Sequence, residues 1–137
     1  MPKSTPKKPA FIYARGRRKT AVARIRLFKK SGETLVNNLA IAKYFPGAIA
    51  KKMYEEPLII CNVLDKYHFT VKVVGSGKYG QLDAVIHGLS RALTIANPDF
   101  RPFLKKRGLL TRDPRTRQRR MIGMGGKSRR QKQSPKR

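Results

Sequence analysis

Residues 75–80, Gly-Ser-Gly-Lys-Tyr-Gly, form the segment of this chain that is best suited to bind a phosphate group. Gly75, Gly77 and Gly80 have the spacing of the glycine fingerprint that cradles a pyrophosphate in dinucleotide-binding proteins. That fingerprint also requires an acidic residue about 20 positions further on, at the end of a second strand. The residues at that distance, 97–99, open a predicted helix instead. Binding of a nucleotide cofactor is therefore not expected.

Two other interpretations of this glycine loop stay open. The glycines can form a tight turn that lets two backbone segments approach closely. Alternatively, the exposed amides of the loop and the ammonium group of Lys78 can meet the phosphodiester backbone of a nucleic acid. The second interpretation is favoured, because the same physics of amides and positive charge applies to any phosphate. Neither interpretation involves catalysis.

Side chains for acid–base or metal chemistry are scarce. His68 and His87 are isolated in the sequence, and the 7 acidic residues are scattered. One cysteine and two histidines are too few for a structural zinc site. Cys61 lies in the apolar run of residues 58–64 and is expected to be a small buried side chain. The sequence thus predicts no enzyme, cofactor, metal or small-molecule substrate.

Positive charge is the dominant property of the chain. Its 137 residues include 33 Lys and Arg against 7 Asp and Glu, a formal net charge of +26. Residues 101–137 carry 15 Lys or Arg and one acid, Asp113. Such an excess opposes compaction and favours binding to a nucleic acid or an anionic membrane surface. No apolar stretch approaches the roughly 18–20 residues of a membrane span. A membrane-surface role would need an exposed amphipathic helix with Lys or Arg on one face and Trp or Phe on the other, and the sequence lacks one. A nucleic acid is therefore the expected partner.

A predicted β-hairpin carries the first basic cluster. Strands are expected over residues 11–14 and 21–28, and in the second strand Val22, Arg24 and Arg26 alternate with apolar residues. The alternation predicts a sheet with one cationic face exposed to solvent. The cluster consists of Arg15, Arg17, Arg18, Lys19, Arg24 and Arg26.

The rest of the pattern predicts an α+β fold around one core. Asn38 is expected to cap a short helix, Pro57 to end the next helix, and Asn97 to cap the last one. The predicted elements are a strand over 34–36, helices over 39–44 and 48–56, strands over 58–64 and 69–74, and helices over 81–96 and 98–107. We therefore expect a disordered basic arm (1–10), a globular domain with a small mixed sheet packed against helices (11–110) and an extended basic tail (111–137).

Four blocks of the sequence resemble one known family. They are residues 14–24 (ARGRRKTAVAR), residues 75–92, residues 109–115 (LLTRDPR) and the terminal Lys136-Arg137. In this order and spacing they resemble the universal family of small-subunit ribosomal protein nine, over about residues 11–137. The forms of the glycine loop and of the Thr-Arg-Asp block are similar to those of bacterial or organellar members.

The resemblance implies a fold similar to the second domain of small-subunit ribosomal protein five. It also implies a place in the head of the small ribosomal subunit, bound to the 3′ domain of its rRNA beside neighbouring ribosomal proteins. The tail would run through rRNA towards the peptidyl-site tRNA, where Lys136 and Arg137 would touch the backbone of the anticodon stem-loop. Gln133 and Pro135 depart from the usual family ending, and Pro135 has a fixed φ that bears on the direction of the last two residues.

Expected rRNA contacts combine the hairpin cluster and the glycine loop with basic residues further along the chain. Arg outnumbers Lys by ten to five in residues 101–137, and its planar guanidinium suits both phosphates and bases. The expected residues beyond the hairpin are Gly75, Gly77, Lys78, Gly80, Gln81, Arg91, Lys105, Lys106, Arg107, Arg112, Arg115, Arg117, Arg119, Arg120, Lys127, Arg129, Arg130 and Lys132. The location expected is the cytoplasmic ribosome, with an organellar matrix as the alternative. The alternative function is a DNA-compacting, chromatin-like protein, since basic arms would serve duplex DNA equally.

Overall fold

A two-stranded antiparallel ribbon opens the fold in the computed structural model, which describes residues 11–123. Strand β1 (Ile12–Arg18) pairs with β2 (Ala21–Phe28). Every second residue of β2 from Ala21 to Leu27 is buried, while Arg24 and Arg26 are exposed. The alternation predicted from the sequence is thus confirmed. The predicted arm (1–10) and the tail residues Lys127, Arg129, Arg130, Lys132, Lys136 and Arg137 lie outside the described residues.

Five strands form one mixed sheet, in the order β1, β2, β5 (His68–Val74), β3 (Leu35–Val36) and β4 (Leu39–Ala40). Strand β5 is antiparallel to β2, whereas β3 is parallel to β5. Strand β4 folds back on β3 through Asn37 and Asn38, whose φ angles of 49° and 67° are those of a two-residue type I′ turn. The predicted helix cap at Asn38 is wrong, because asparagine tolerates this left-handed conformation and shapes a hairpin here. Helix α1 (Ile41–Tyr44) follows.

Helix α2 (Ala48–Ile60) runs further than predicted, and the predicted strand over residues 58–64 is wrong. Pro57 lies inside the helix instead of ending it. Pro57 and Leu58 are both buried, so that tertiary packing outweighs the helix-breaking tendency of proline. A short apolar run alone does not distinguish a strand from a buried helix end.

The end of α2 is closed by a Schellman motif at Asn62. Its φ is 53°, and its N–H donates to the carbonyl of Ile59 at 3.0 Å. The N–H of Val63 donates to the carbonyl of Leu58, also at 3.0 Å. These two bonds satisfy carbonyls that a helix end leaves without partners. Cys61 in this turn is buried as predicted, and burial raises the pKa of its thiol.

Helix α3 (Lys78–Ala96) begins three residues earlier than predicted, so that the glycine loop supplies its first turn. The predicted last helix is divided into a 3-10 turn (Pro98–Phe100) and helix α4 (Arg101–Lys106). Asn97 caps the 3-10 turn as predicted, because its side-chain oxygen accepts the N–H of Asp99 at 3.2 Å.

One face of the sheet packs against α3, and α2 packs on α3 and α4. The largest fully buried apolar side chains come from both layers: Ile25, Leu27, Phe69, Val85, Leu89, Leu93 and Leu104. The α+β class with a small mixed sheet packed against helices is confirmed, while the likeness to the second domain of ribosomal protein five stays a prediction. Within residues 11–123, no helix is both long enough and apolar enough to cross a bilayer.

Gly16 of β1 and Gly88 of α3 bring strand and helix into direct backbone contact. A Cβ atom added at Gly16 would lie 1.9 Å from the carbonyl oxygen of Ala84 and 2.4 Å from the amide nitrogen of Gly88. A Cβ added at Gly88 would lie 2.8 Å from the amide nitrogen of Gly16. Since backbone atoms cannot move aside as flexible side chains do, only glycine fits at either position at this separation.

We expect the Gly16→Ala substitution to lower the free energy of unfolding by about 2 kcal/mol or more, because the added methyl forces α3 away from the sheet. Gly77→Ala is the matched control, since no atom lies within 4 Å of its added Cβ and its φ of −95° suits alanine. Urea denaturation of both full-length variants measures the difference. Equal stabilities of the two variants would contradict the assigned role of Gly16.

Candidate nucleic-acid interface

The uncovered face of the sheet presents cations from three neighbouring strands. The register places Arg15 of β1 opposite Arg24 of β2, and Arg24 opposite Lys72 of β5. All three residues are exposed, and we call them the cationic row. Like charges directly opposite each other destabilise a sheet, by about 0.2–1 kcal/mol per pair on the scale of cross-strand interactions. A bound polyanion would relieve this repulsion.

Sequence reasoning predicted Arg15 and Arg24 in this row but missed Lys72. The signal was available, because Lys72 is the one charged residue in the predicted strand over 69–74. The sequence did not indicate that β2 pairs with β5. Only this pairing places Lys72 beside Arg24.

A second basic surface forms where α3 crosses the edge strand β1. Arg91 of α3 donates from Nη1 to the carbonyl of Arg15 at 2.8 Å. The main-chain N–H of Arg17 donates to Nδ1 of His87 at 3.2 Å. We call the resulting recess, with a volume of about 330 Å³, the arginine recess; it is lined by Arg15, Arg17, His87, Arg91, Leu110 and Arg112.

The ring of His87 lies in the arginine recess and is held by hydrogen bonds to the backbone. Burial and then the nearby charge of Arg91 lower the pKa of its ring, which also hydrogen-bonds to the backbone of Leu110 and Arg17. A neutral imidazole can accept from one backbone group and donate to another, so it links β1 to the start of the tail. His68 packs its ring on Phe28 at a centroid distance of 4.7 Å. Among the described residues, no three His, Cys, Asp or Glu side chains come together as a metal site would require.

Arg18 is largely covered, with 13% of its side chain exposed. Its Nε lies 3.3 Å from a carboxylate oxygen of Asp83, and its Nη1 lies 3.0 Å from one of Asp113. Nη1 also donates to the carbonyl of Arg115 at 3.1 Å. Arg18 therefore fastens the beginning of the tail to the domain. We call Arg18, Asp83, Asp113 and Arg115 the tail anchor.

Asp113 accepts hydrogen bonds from a second arginine within the tail anchor. The side chain of Arg115 donates to the carboxylate from Nε at 3.0 Å and from Nη2 at 2.7 Å, and its main-chain N–H donates to the same group at 3.0 Å. These hydrogen bonds hold the pKa of Asp113 well below its usual range, with a further contribution from the charge of Arg18. Arg18 and Arg115 were expected to contact rRNA, and the structure shows both of them engaged by carboxylates.

Two of the three glycines in the glycine loop serve close packing. Gly75 has a φ of +88°, and its added Cβ would lie 2.4 Å from the carbonyl oxygen of Thr20. An added Cβ at Gly80 would lie 2.5 Å from the hydroxyl of Ser76. Gly77 faces open space and precedes the first turn of α3. The packing interpretation therefore holds for Gly75 and Gly80, and Gly77 is the position open to approach by a ligand.

Gln81 and Lys78 hold the glycine loop against α1. Gln81 donates from Nε2 to the carbonyl of Gly75 at 3.0 Å and accepts the hydroxyl of Tyr44 at 2.8 Å. The ammonium of Lys78 lies 3.4 Å from the centroid of the Tyr44 ring, a cation–π contact. Lys78 is exposed, so its contact with the ring leaves it accessible from solvent.

The other predicted cations are spread over the surface. Lys19 lies exposed in the turn between β1 and β2, with a φ of 51°. At the end of α4 and along the described part of the tail, the exposed predicted residues are Lys105, Lys106, Arg107, Arg112, Arg115, Arg117 and Arg119, while Arg120 is half-buried. Apart from Arg112, which lines the arginine recess, and Arg115, which belongs to the tail anchor, the structure does not gather these cations into either site.

The fold and these surfaces define the class: a basic α+β domain whose charged faces suit a polyanion and which carries no catalytic constellation in residues 11–123. Comparison with known proteins agrees. A family model described as "Ribosomal protein S9/S16" matches residues 16–137. The chain belongs to this family.

Curated relatives of similar length carry one shared name, "Small ribosomal subunit protein uS9". The protein from Desulfovibrio desulfuricans is 44% identical over 114 residues, 83% of this chain and 88% of that protein. The protein from Lawsonia intracellularis is 45% identical over the same number of residues, with the same coverage. The protein from Solidesulfovibrio magneticus is 44% identical over 116 residues, 85% of this chain and 89% of that protein. The family resemblance predicted from the sequence blocks is confirmed.

Asp113→Ala should loosen the beginning of the tail, because it removes the carboxylate that both Arg18 and Arg115 bind. We expect the backbone amide of Arg115 to exchange its hydrogen several-fold faster than in the native protein, measured by hydrogen exchange with mass spectrometry. Asp65→Ala is the control, since Asp65 is exposed in the loop before β5. Unchanged exchange at Arg115 in Asp113→Ala would show that the tail anchor does not hold in solution.

The carboxyl group of Asp113 should titrate below the ordinary aspartate pKa of about 3.9. The fold favours its ionised form, so its contribution to anchoring is complete above the ordinary value and is lost only as the pH falls through the lowered pKa of the folded state. An NMR titration of the side-chain carboxyl carbon measures this. In Arg115→Gln the pKa should move back towards the ordinary value, and an ordinary pKa in the native protein would refute the assignment.

Proposed function

We propose that this protein is a structural constituent of the small ribosomal subunit and binds rRNA in the head of that subunit. The family match over residues 16–137 carries the proposal, because the relatives are named as small-subunit proteins and cover most of the chain. The S9 family consists of structural ribosomal proteins rather than enzymes. The protein therefore takes part in translation as a component of the particle and not as a catalyst.

The cationic row and the arginine recess support rRNA as the ligand. They place exposed guanidinium groups from four segments, namely β1, β2, α3 and the beginning of the tail, on adjoining parts of one small domain. Guanidinium groups bind phosphate through two parallel hydrogen bonds and also stack on bases. Ten phosphate contacts would give a slope of about −7 to −9 in a plot of log affinity against log salt concentration.

The tail supplies a further set of proposed rRNA contacts. They comprise Arg112, Arg117, Arg119 and Arg120 in the described part and Lys127, Arg129, Arg130 and Lys132 beyond it. The last two residues, Lys136 and Arg137, are proposed to contact the backbone of the peptidyl-site tRNA. The tail anchor supports this arrangement, because it sets the point from which the chain departs. The 22 residues from Thr116 to Arg137 could then span about 70 Å if fully extended.

The proposed partners are the 3′ domain of the small-subunit rRNA, the peptidyl-site tRNA and neighbouring small-subunit proteins, in a cytoplasmic ribosome. The glycine loop is proposed to meet rRNA through Gly77 and Lys78, with Gly75, Gly80 and Gln81 holding its shape. Family membership favours this function over the DNA-compacting alternative, which shares the charge but not the sequence blocks.

Removal of Pro135–Arg137 tests both halves of the proposal. We expect both the full-length and the shortened protein to sediment with the small subunit in a magnesium-containing gradient, because the shortened protein retains most of the cations. We expect the affinity of the particle for peptidyl-site tRNA to fall by a few-fold, since two phosphate contacts are lost. Filter binding of tRNA to reconstituted particles measures the affinity.

Lys7→Gln combined with Lys8→Gln is the matched control, because it removes two positive charges from the other end of the chain. This variant should assemble and bind tRNA as the native protein does. Failure of the full-length protein to travel with the small subunit would refute the ribosomal role. Equal tRNA affinity of all three particles over a range of salt concentrations would refute the role of the terminus alone.

A further inference from the structure

The open face of the sheet combines aromatic and cationic side chains in successive rows. At one end, the rings of Phe11 and Phe28 lie 5.9 Å apart, and the Phe28 ring is stacked on His68 at 4.7 Å and 8°. The next row contains Tyr13 opposite Arg26, and Arg26 opposite Thr70. The cationic row of Arg15, Arg24 and Lys72 follows. Because alternate residues share a face, successive rows are about 7 Å apart.

Tyr13 is the accessible ring of this face. Tyr13 is 52% exposed and lies on the edge strand β1. The guanidinium of Arg26 lies 5.2 Å from the centroid of the Phe11 ring, which fixes it beside Tyr13. A recess of about 390 Å³ opens here, and it is lined by Tyr13, Arg24, Arg26, Leu35, Asn38, Thr70, Val71 and Lys72.

We propose that this recess binds an unpaired nucleotide of RNA, with its base stacked on Tyr13 and the adjoining phosphates on Arg24 and Lys72. The inference rests on the proposed rRNA binding and specifies the form of RNA that this face receives. The recess offers the ring of Tyr13 for the base, the guanidinium of Arg26 beside it, and the cations Arg24 and Lys72 one row further along. Base stacking on aromatic side chains with a cationic track for the backbone is the usual mode of binding to single-stranded RNA.

A paired helix does not use this arrangement. Bases inside an A-form duplex are stacked on each other and present phosphates and 2′-hydroxyls to a protein. A duplex would therefore bind the cations and leave Tyr13 without a role. A protein partner with an apolar face is also disfavoured, because it would bury Arg24, Arg26 and Lys72 without opposing charges.

The test compares a short unstructured oligouridine with a blunt RNA duplex that has the same number of phosphates. Both are titrated against the full-length protein at a salt concentration that weakens the contribution of the tail. Tyr13→Ala should lower the affinity for oligouridine about tenfold, within the range of one stacked base, and should leave the affinity for the duplex within about twofold. Tyr13→Phe keeps the ring and should restore binding of oligouridine.

Phe103→Ala is the matched control, because Phe103 is 58% exposed on α4 and lies outside both the recess and the glycine loop. Photocrosslinking of oligouridine that contains thiouridine should join the RNA to the peptide with Tyr13 and not to the peptide with Phe103. Equal effects of Tyr13→Ala on both RNAs, or no effect on either, would overturn the stacking proposal while rRNA binding stands. If neither RNA binds the native protein, the proposed rRNA binding itself fails.

Discussion

The contact between Gly16 and Gly88 is the constraint on which the rest of the structure depends. Because neither residue has a side chain, α3 lies directly on the backbone of β1. At this distance, the side chains of His87 and Arg91 reach main-chain groups of Arg17 and Arg15. The same contact that closes the core thus builds the arginine recess at its edge. Since α3 covers one face of the sheet, the alternation of β1 and β2 sends Arg15, Arg24 and Arg26 to the other face.

Some positive charges of the domain are paired with carboxylates of the same chain, and others are not. Arg18 and Arg115 are neutralised within the chain, by Asp83 and Asp113, and these pairs fix where the tail leaves the domain. The cationic row has no carboxylate placed against it among the described residues. Asp83 and Asp113 therefore position one segment of the chain. The surfaces that stay positive are the ones available to a polyanion.

Much of the fold followed from local pattern. The alternation in β2 and the apolar stripe of α3 predicted which faces are buried, because each pattern repeats over several turns or pleats. The strand expected over residues 58–64 failed for the opposite reason. That run is short and mostly apolar, and Pro57 predicted a helix end, whereas the buried Pro57 and Leu58 continue the helix to Ile60. Asn38 was predicted as a helix cap because asparagine is common both at N-caps and at left-handed turn positions, and composition alone does not separate the two.

The candidate site was predicted by residue type and only partly by position. Arg15, Arg24 and Arg26 were placed correctly on the exposed face, because they share one hairpin. Lys72 and Tyr13 joined them only through the sheet register, and Arg18 left the group because Asp83 and Asp113 approach it from segments 65 and 95 residues away. Long-range pairing of this kind has no signature in a single sequence.

Repulsion within the cationic row links binding to the stability of the domain. Arg24 lies on the same strand as Ile25, whose side chain is fully buried, and Lys72 lies between the buried Val71 and Val73. Repulsion that weakens the pairing of β1, β2 and β5 therefore also weakens the packing of the core residues on these strands. A polyanion that bridges the row removes this unfavourable term and adds its own binding energy, and both effects favour the folded domain over the unfolded chain. The sheet is for this reason the part of the protein that should gain most in stability when a nucleic acid binds. In the free domain, the repulsion between these charges lowers the free energy of unfolding by a small amount.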